Sequence, residues 1–386
     1  MGNHAELREE SPISGQRTVT AAASVLVFVL FLGAQGCGSS GGTFPPPPAP
    51  TFTTIDAPGA GAAVGLGTFV QDVNAGGYIV GYFKVSPFDL GHVFVRSSAG
   101  VFTVLDVPGQ GTLNGQGATA QRINAADTIV GYFADSQSVI HGFTRTLDGN
   151  FSIFDAPGAI ATYTAGINDA GTVVGQFVDN NLAVHGFIRT QDGTFTVFDV
   201  PGAANLSVVG INAGGAVTSS FADILFVYHG FLRNPDGTSD IFDAPGVGIG
   251  CDPESGTGCI MGTGVADING SGEIVGTDYA TIGPRSFVRT AAGVFNVFTP
   301  PGTNGAGSSS AGINDSGAIV GNYTDANNAT HGYLRNPDGT ITRIDDPNAF
   351  QEANSAGTFV THINAIGAIV GYYFDAQGAR HGFLRE

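Results

Sequence analysis

From residue 51 onward the chain is a succession of short apolar runs, rich in β-branched and aromatic residues, separated by polar turn residues. Residues 163–199 show the pattern. The run Tyr163-Thr-Ala-Gly-Ile-Asn leads to the turn Asp169-Ala-Gly and the run Thr172-Val-Val-Gly-Gln-Phe. A polar loop, Val184-His-Gly-Phe-Ile-Arg, the turn Asp192-Gly and Thr194-Phe-Thr-Val-Phe-Asp follow. Asp-Gly between β-branched and aromatic runs is a hairpin signal, so the segment predicts a four-stranded antiparallel meander. The order recurs along the chain: an Asn-centred turn followed by Val-Gly, then His-Gly-Phe-x-Arg, then Phe-x-x-x-Asp-x-Pro-Gly. Its asparagines are Asn74, Asn124, Asn168, Asn212, Asn269, Asn314 and Asn364, seven units spaced 44 to 57 residues apart. One such sheet cannot bury both of its faces, whereas seven stacked radially can. The prediction is an all-β protein, a seven-bladed β-propeller of four-stranded antiparallel blades over residues 51–386. The phase of the repeat predicts how it closes. The domain opens on a lone last-strand motif, residues 51–56, and ends on the third-strand motif His381-Gly-Phe-Leu-Arg385, so strand 51–56 is free to complete the last blade.

These repeats, Gly-Ile-Asn-Asp-x-Gly-x-Ile-Val-Gly followed by His-Gly-Phe, resemble those of the HAF-repeat family of extracellular bacterial proteins over residues 51–386. This chain carries His-Gly-Phe at His141, His185, His229 and His381, His-Gly-Tyr at His331, and His-Val-Phe at His92. The fifth unit departs from the pattern with Arg285-Ser-Phe. The resemblance implies an exported repeat protein and supplies no catalytic residues.

The N-terminal sequence agrees with export. Arg8 and Arg17 precede the apolar run from Ala21 to Leu32, so residues 1–36 read as an export signal peptide. Ala34-Gln35-Gly36-Cys37 resembles the lipobox of bacterial lipoproteins, with Ala34 where that motif usually has Leu, and makes Cys37 the expected lipidation site. Ordinary secretory cleavage and an uncleaved anchor are the alternatives. Residues 37–50 combine this cysteine with a Gly/Ser/Pro tether. Cys251 and Cys259 lie in an insertion, and in an exported chain the pair is expected to form a disulfide; zinc is the lesser reading, with no further ligand nearby.

The chain has 14 Lys and Arg against 32 Asp and Glu, a net charge of −18, which speaks against nucleic acid as a partner. The expected partner is a surface glycan or protein, the membrane is met only through the N-terminal lipid, and the chain is expected to be monomeric.

Residues repeated in every unit read as scaffold, since a catalytic site needs asymmetry. That reading covers the histidines, the arginine following each of them, and the aspartates of Asp-x-Pro-Gly. Asp267, Asn269, Ser271 and Asp278 stand at calcium-loop positions 1, 3, 5 and 12 with Gly272 at position 6. The repeat consensus itself generates most of this match, so calcium is the weaker reading and no cofactor is expected.

Two asymmetries remain. The linkers between Asp-x-Pro-Gly and the next repeat asparagine vary in length while other spacings hold, which makes one face variable, and binding sites are commonly built on such loops. Two residues before the repeat asparagine, three units have glycine, and the others have Asp72, Arg122, Asp267 and His362. Asp72, Arg122 and His362 belong to units contiguous in a closed ring, beside Gln71, Gln121 and Thr361. As scaffold, Asp72 and Arg122 would pair across neighbouring units and leave His362 solvated. As function, the cluster binds a ligand. Three functions follow: a non-catalytic envelope binding module, favoured; a hydrolase or lyase with His362 as general base and Arg122 stabilising negative charge; and a purely structural envelope protein.

Overall fold

The computed structural model describes residues 49–88, 91–113, 115–246, 261–280, 283–351 and 357–386. The export signal, Cys37, all but the end of the tether and the Cys251/Cys259 pair lie outside the described residues. Residues 49–386 form one compact unit.

The described residues hold 28 strands and no helix. The third repeat contributes Ala159–Ile167, Val173–Asp179, Val184–Arg189 and Phe195–Phe198, each antiparallel to the next, as its pattern predicts. The strands are grouped into four sheets, three of eight strands and one of four. Separate four-stranded sheets were the expectation. The difference arises where an incoming first strand touches the third strand of the preceding repeat through a short parallel contact, as at Gly67 and Arg380. Gly67 has φ +116°, and a Cβ there would lie 2.0 Å from the Arg380 carbonyl oxygen, so only glycine lets the two backbones bridge.

Strand β1 (Phe52–Ile55) pairs with β28 (Arg380–Arg385) in the register Phe52 to Arg385 through Ile55 to Gly382, as the phase of the repeat predicts. The chain therefore enters β1 at the end of the repeats that carries the Asn turns and the last hairpins. The variable linkers and the loops between second and third strands lie at the opposite end.

The core repeats with the sequence. Phe94, Phe143, Phe187, Phe231, Phe287, Tyr333 and Phe383, one from each third strand, are fully buried. Burial of a phenylalanine is worth about 1.5–3 kcal/mol. The glycine of Val-Gly makes room for this ring: a Cβ on Gly175 would lie 2.1 Å from the Tyr163 carbonyl oxygen and 2.7 Å from Phe187 Cζ.

Candidate functional site

The repeated polar residues are scaffold. Each of the seven asparagines caps its own turn: in the third repeat the Thr172 amide donates to Asn168 Oδ1 at 3.0 Å. Each also donates from Nδ2 to the carbonyl of the next, from Asn74 through Asn314, and Asn364 returns the bond to Asn74 at 2.9 Å. The six repeat histidines pack against a Phe or Tyr of the second strand, as His185 does on Phe177 with ring centroids 5.0 Å apart.

Four of them bond through Nδ1 to the aspartate 14 residues on, as His141 does to Asp155, and His381 bonds in the same way to Asp56 beside β1. On their Nε2 side lies a second carboxylate that sequence reasoning missed, Asp135, Asp179, Asp223, Asp325 or Asp375. Its signal was an aspartate six residues before the histidine. The Asp199 carboxylate raises the His185 pKa, and backbone amides in the turns hold Asp135, Asp179, Asp223 and Asp325 below the usual carboxylate range. Four repeat arginines, Arg189, Arg233, Arg289 and Arg335, lie over phenylalanines of the preceding repeat, Arg189 over Phe154 at 4.5 Å and Arg289 over Phe242 at 4.6 Å.

The fifth repeat replaces the stacked pair with an ion pair. Asp278 takes the phenylalanine position opposite Arg285 and binds its guanidinium, fully buried. Asp278 thus belongs to the scaffold. It stands three residues beyond Val275, which pairs with Asp267, so the strand separates it by about 10 Å from the other proposed calcium ligands. Ser271 donates to Asn269 Oδ1, and Asp267 accepts from backbone amides. The structure does not gather the four residues into one shell, because an antiparallel strand pair occupies the segment.

The non-periodic residues do meet. Every first strand carries a β-bulge just before the Asn turn, as between Val70 and Asp72 or Val360 and His362. The bulge re-aims the following side chain, and in six of the seven repeats that position lines a central cavity of about 230 Å³ to which all seven repeats contribute. Gln71, Gln121 and Thr361 occupy the bulge and do not line it. Asp72 and Asp267 play the same part: each carboxylate accepts from the amide after it and from an amide of the next repeat, Ile123 at 2.9 Å and Ile313 at 3.0 Å.

Asp72 does not pair with Arg122, contrary to the scaffold expectation, because both its oxygens are taken by amides and by His362, whose Nε2 lies 3.2 Å from Oδ1. His362 is therefore oriented, not solvated at large, and its buried Nδ1 has no hydrogen-bond partner. Arg122 reaches only the Gln121 carbonyl, at 3.3 Å. Gly312 leaves the space His362 uses: a Cβ there would lie 3.2 Å from Nδ1. The cluster sits at the Asn-turn end, away from the variable linkers.

No family model and no curated protein matches the chain in sequence. Solved structures do match its fold. The β-propeller domain of the trilobed protease from Pyrococcus furiosus, described as having an open velcro topology, aligns with a TM-score of 0.57 at 10% identity, over 83% of this chain and 97% of that one. An oligogalacturonate lyase in complex with manganese aligns with a TM-score of 0.52 at 14% identity, over 87% and 96%. An oligogalacturonate lyase from Vibrio parahaemolyticus gives 0.50 at 11% identity over the same shares. At such identities the likeness shows fold alone: the chain is an all-β protein of repeated sheets, similar to β-propellers.

Proposed function

We propose that this chain is an exported, lipid-anchored, seven-bladed β-propeller of the HAF-repeat type that serves as a non-catalytic binding module of the bacterial cell envelope, with a glycan or protein as ligand. The seven-fold asparagine cycle and the β1–β28 pairing support a ring closed by its N-terminal strand. The observation that carries the binding reading is the division of polar groups. The repeated asparagines, and the repeat histidines bonded through Nδ1, are held by scaffold partners, while the central cavity keeps Arg122 and His362 Nδ1 with little or no bonding of their own. A second reading is favoured by one contact. Asp72 against His362 Nε2 is the geometry that orients a general base, and Arg122 beside it suits developing negative charge, as in a hydrolase or lyase.

The test is binding of residues 49–386 to polysaccharides and envelope fractions, beside Arg122→Gln/His362→Gln, which spares the structural Asp72. Loss of binding in the folded variant supports the cavity as the site, and turnover of the bound ligand by wild type would favour the enzyme reading. Equal binding by both proteins removes the cavity from function.

A further inference from the structure

A second asymmetry lies nearer the variable end. Cross-strand pairs at one repeated position join the first and second strands, and the residues there change character around the repeats. Repeats seven and one place two aromatic rings face to face, Phe359 on Tyr372 with centroids 4.9 Å apart and Phe69 on Tyr82 at 4.7 Å. Repeat two supplies Tyr132, which meets Tyr163 of repeat three edge-on at 5.3 Å. Repeats four to six have small or polar pairs instead, such as Ser207 with Ser220. The sequence signal is Val-Gly-Tyr, present only at Tyr82, Tyr132 and Tyr372.

Arg380 joins two of these tyrosines, since its guanidinium packs on the Tyr372 ring and on Phe69, the ring that stacks on Tyr82. The three tyrosine rings are partly exposed, and among the described residues no protein group is bonded to their hydroxyls.

The charges point the same way. Seven of the basic residues beyond the export signal are the repeat arginines. Of the other five, Arg285 and Arg343 pair with carboxylates. Lys84, Arg122 and Arg380 pair with none among the described residues, and all three belong to repeats seven, one and two. Arg380 lies between Phe69 and Tyr372, 4.1 and 4.2 Å from their centroids, with its Nε buried and unpartnered; Lys84 Nζ lies over Phe69 at 5.9 Å. In a chain of net charge −18, cations left without carboxylates beside open tyrosine hydroxyls fit an anionic ligand that also offers apolar ring faces and hydroxyls.

We propose that the tyrosine crest of repeats seven, one and two, with Lys84 and Arg380, binds a carboxylate-bearing saccharide. The proposal rests on the reading of the chain as a binding module but places the ligand away from the central cavity. The crest lies toward the end opposite the entry of the chain into β1.

The test is calorimetric titration of residues 49–386 with a hexameric oligouronate and with the same oligosaccharide after its carboxyls are reduced. Wild type is expected to bind the acidic form, more weakly as salt rises, and the reduced form about tenfold less tightly or worse. Tyr82→Phe/Tyr132→Phe/Tyr372→Phe keeps the rings and removes three hydroxyls, and should weaken binding about tenfold or more. Lys84→Gln should weaken it severalfold, and Ser207→Ala/Ser309→Ala, at the same strand position in repeats four and six, should leave it unchanged. Equal binding of the two oligosaccharides overturns the proposal, as does binding unaffected by both crest variants. A protein that binds neither form but binds elsewhere in the envelope panel overturns the ligand class and leaves the module reading standing; binding to nothing overturns both.

Discussion

Asn168→Ala tests whether the repeat asparagines are scaffold. Asn168 is buried, receives the Thr172 amide on Oδ1 at 3.0 Å and donates from Nδ2 to the Asn212 carbonyl at 3.2 Å. Alanine removes both bonds with unequal consequences. The Asn212 carbonyl keeps its bond from the Gly215 amide, so that side loses only the net worth of a hydrogen bond, about 1 kcal/mol. The Thr172 amide is left without an acceptor, which costs about 1–3 kcal/mol. The expected loss is thus about 2–4 kcal/mol, read from urea unfolding at neutral pH. Asn181→Ala is the control: Asn181 is exposed in a turn and reaches only Asp179, at 3.1 Å, so its loss should stay within about 0.5 kcal/mol. Equal midpoints for the two variants would refute the assignment of the asparagine cycle to the scaffold.

Four further outcomes follow from the same geometry. Arg285→Ala strands the fully buried Asp278 carboxylate and should cost about 3–5 kcal/mol, while Asp278→Phe/Arg285→His, which restores the pair of the other repeats, should melt above either single variant. Deleting residues 49–56 exposes the edge of β28, and analytical ultracentrifugation should then show more self-association than for the intact domain.

Stability should peak on the acid side of neutrality. The His185 pKa is raised by its bond to Asp199, and that of His381 is raised by Asp56 and Asp375 despite the opposing effect of burial. Both contributions are complete below the unfolded histidine value and are lost as pH rises through the folded one. The turn aspartates, with depressed pKa, contribute above their unfolded value and lose that contribution as pH falls through the folded one. Urea midpoints should therefore fall on both sides of about pH 4–6.5, and a steady rise from pH 5 to 8 would contradict the assignment. Phe226 is exposed at φ +61°, so Phe226→Gly should raise the melting free energy by up to about 1 kcal/mol, against the usual penalty for glycine.

Much of the fold was written in local chemistry. Asp-Gly turns and Val-Gly/His-Gly-Phe runs fix the strands, and the displaced last-strand motif at residues 51–56 predicts the β1–β28 pairing. What spacing could not supply was direction. The bulge before each Asn turn decides that Asp72 and His362 face the cavity while Gln71 and Gln121 do not, and its geometry depends on partners in another strand. The Asp72 partner was misread for the same reason. A sequence shows opposite charges in adjacent repeats but not that backbone amides from two repeats already fill the carboxylate. The tyrosine crest was legible and overlooked, because Val-Gly-Tyr reads as one more aromatic strand until the register sets its rings beside Arg380.

The proposed function falls on repeats seven, one and two, with the other repeats left as scaffold. Its most direct test is binding to the polysaccharide and envelope panel by wild type, by a variant combining Tyr82→Phe, Tyr132→Phe, Tyr372→Phe, Arg122→Gln and His362→Gln, and by Ser207→Ala/Ser309→Ala on the facing repeats, all with equal thermal stability. Only the first variant is expected to lose the wild-type ligand. Binding retained by that variant, or lost through the serines alone, would contradict it.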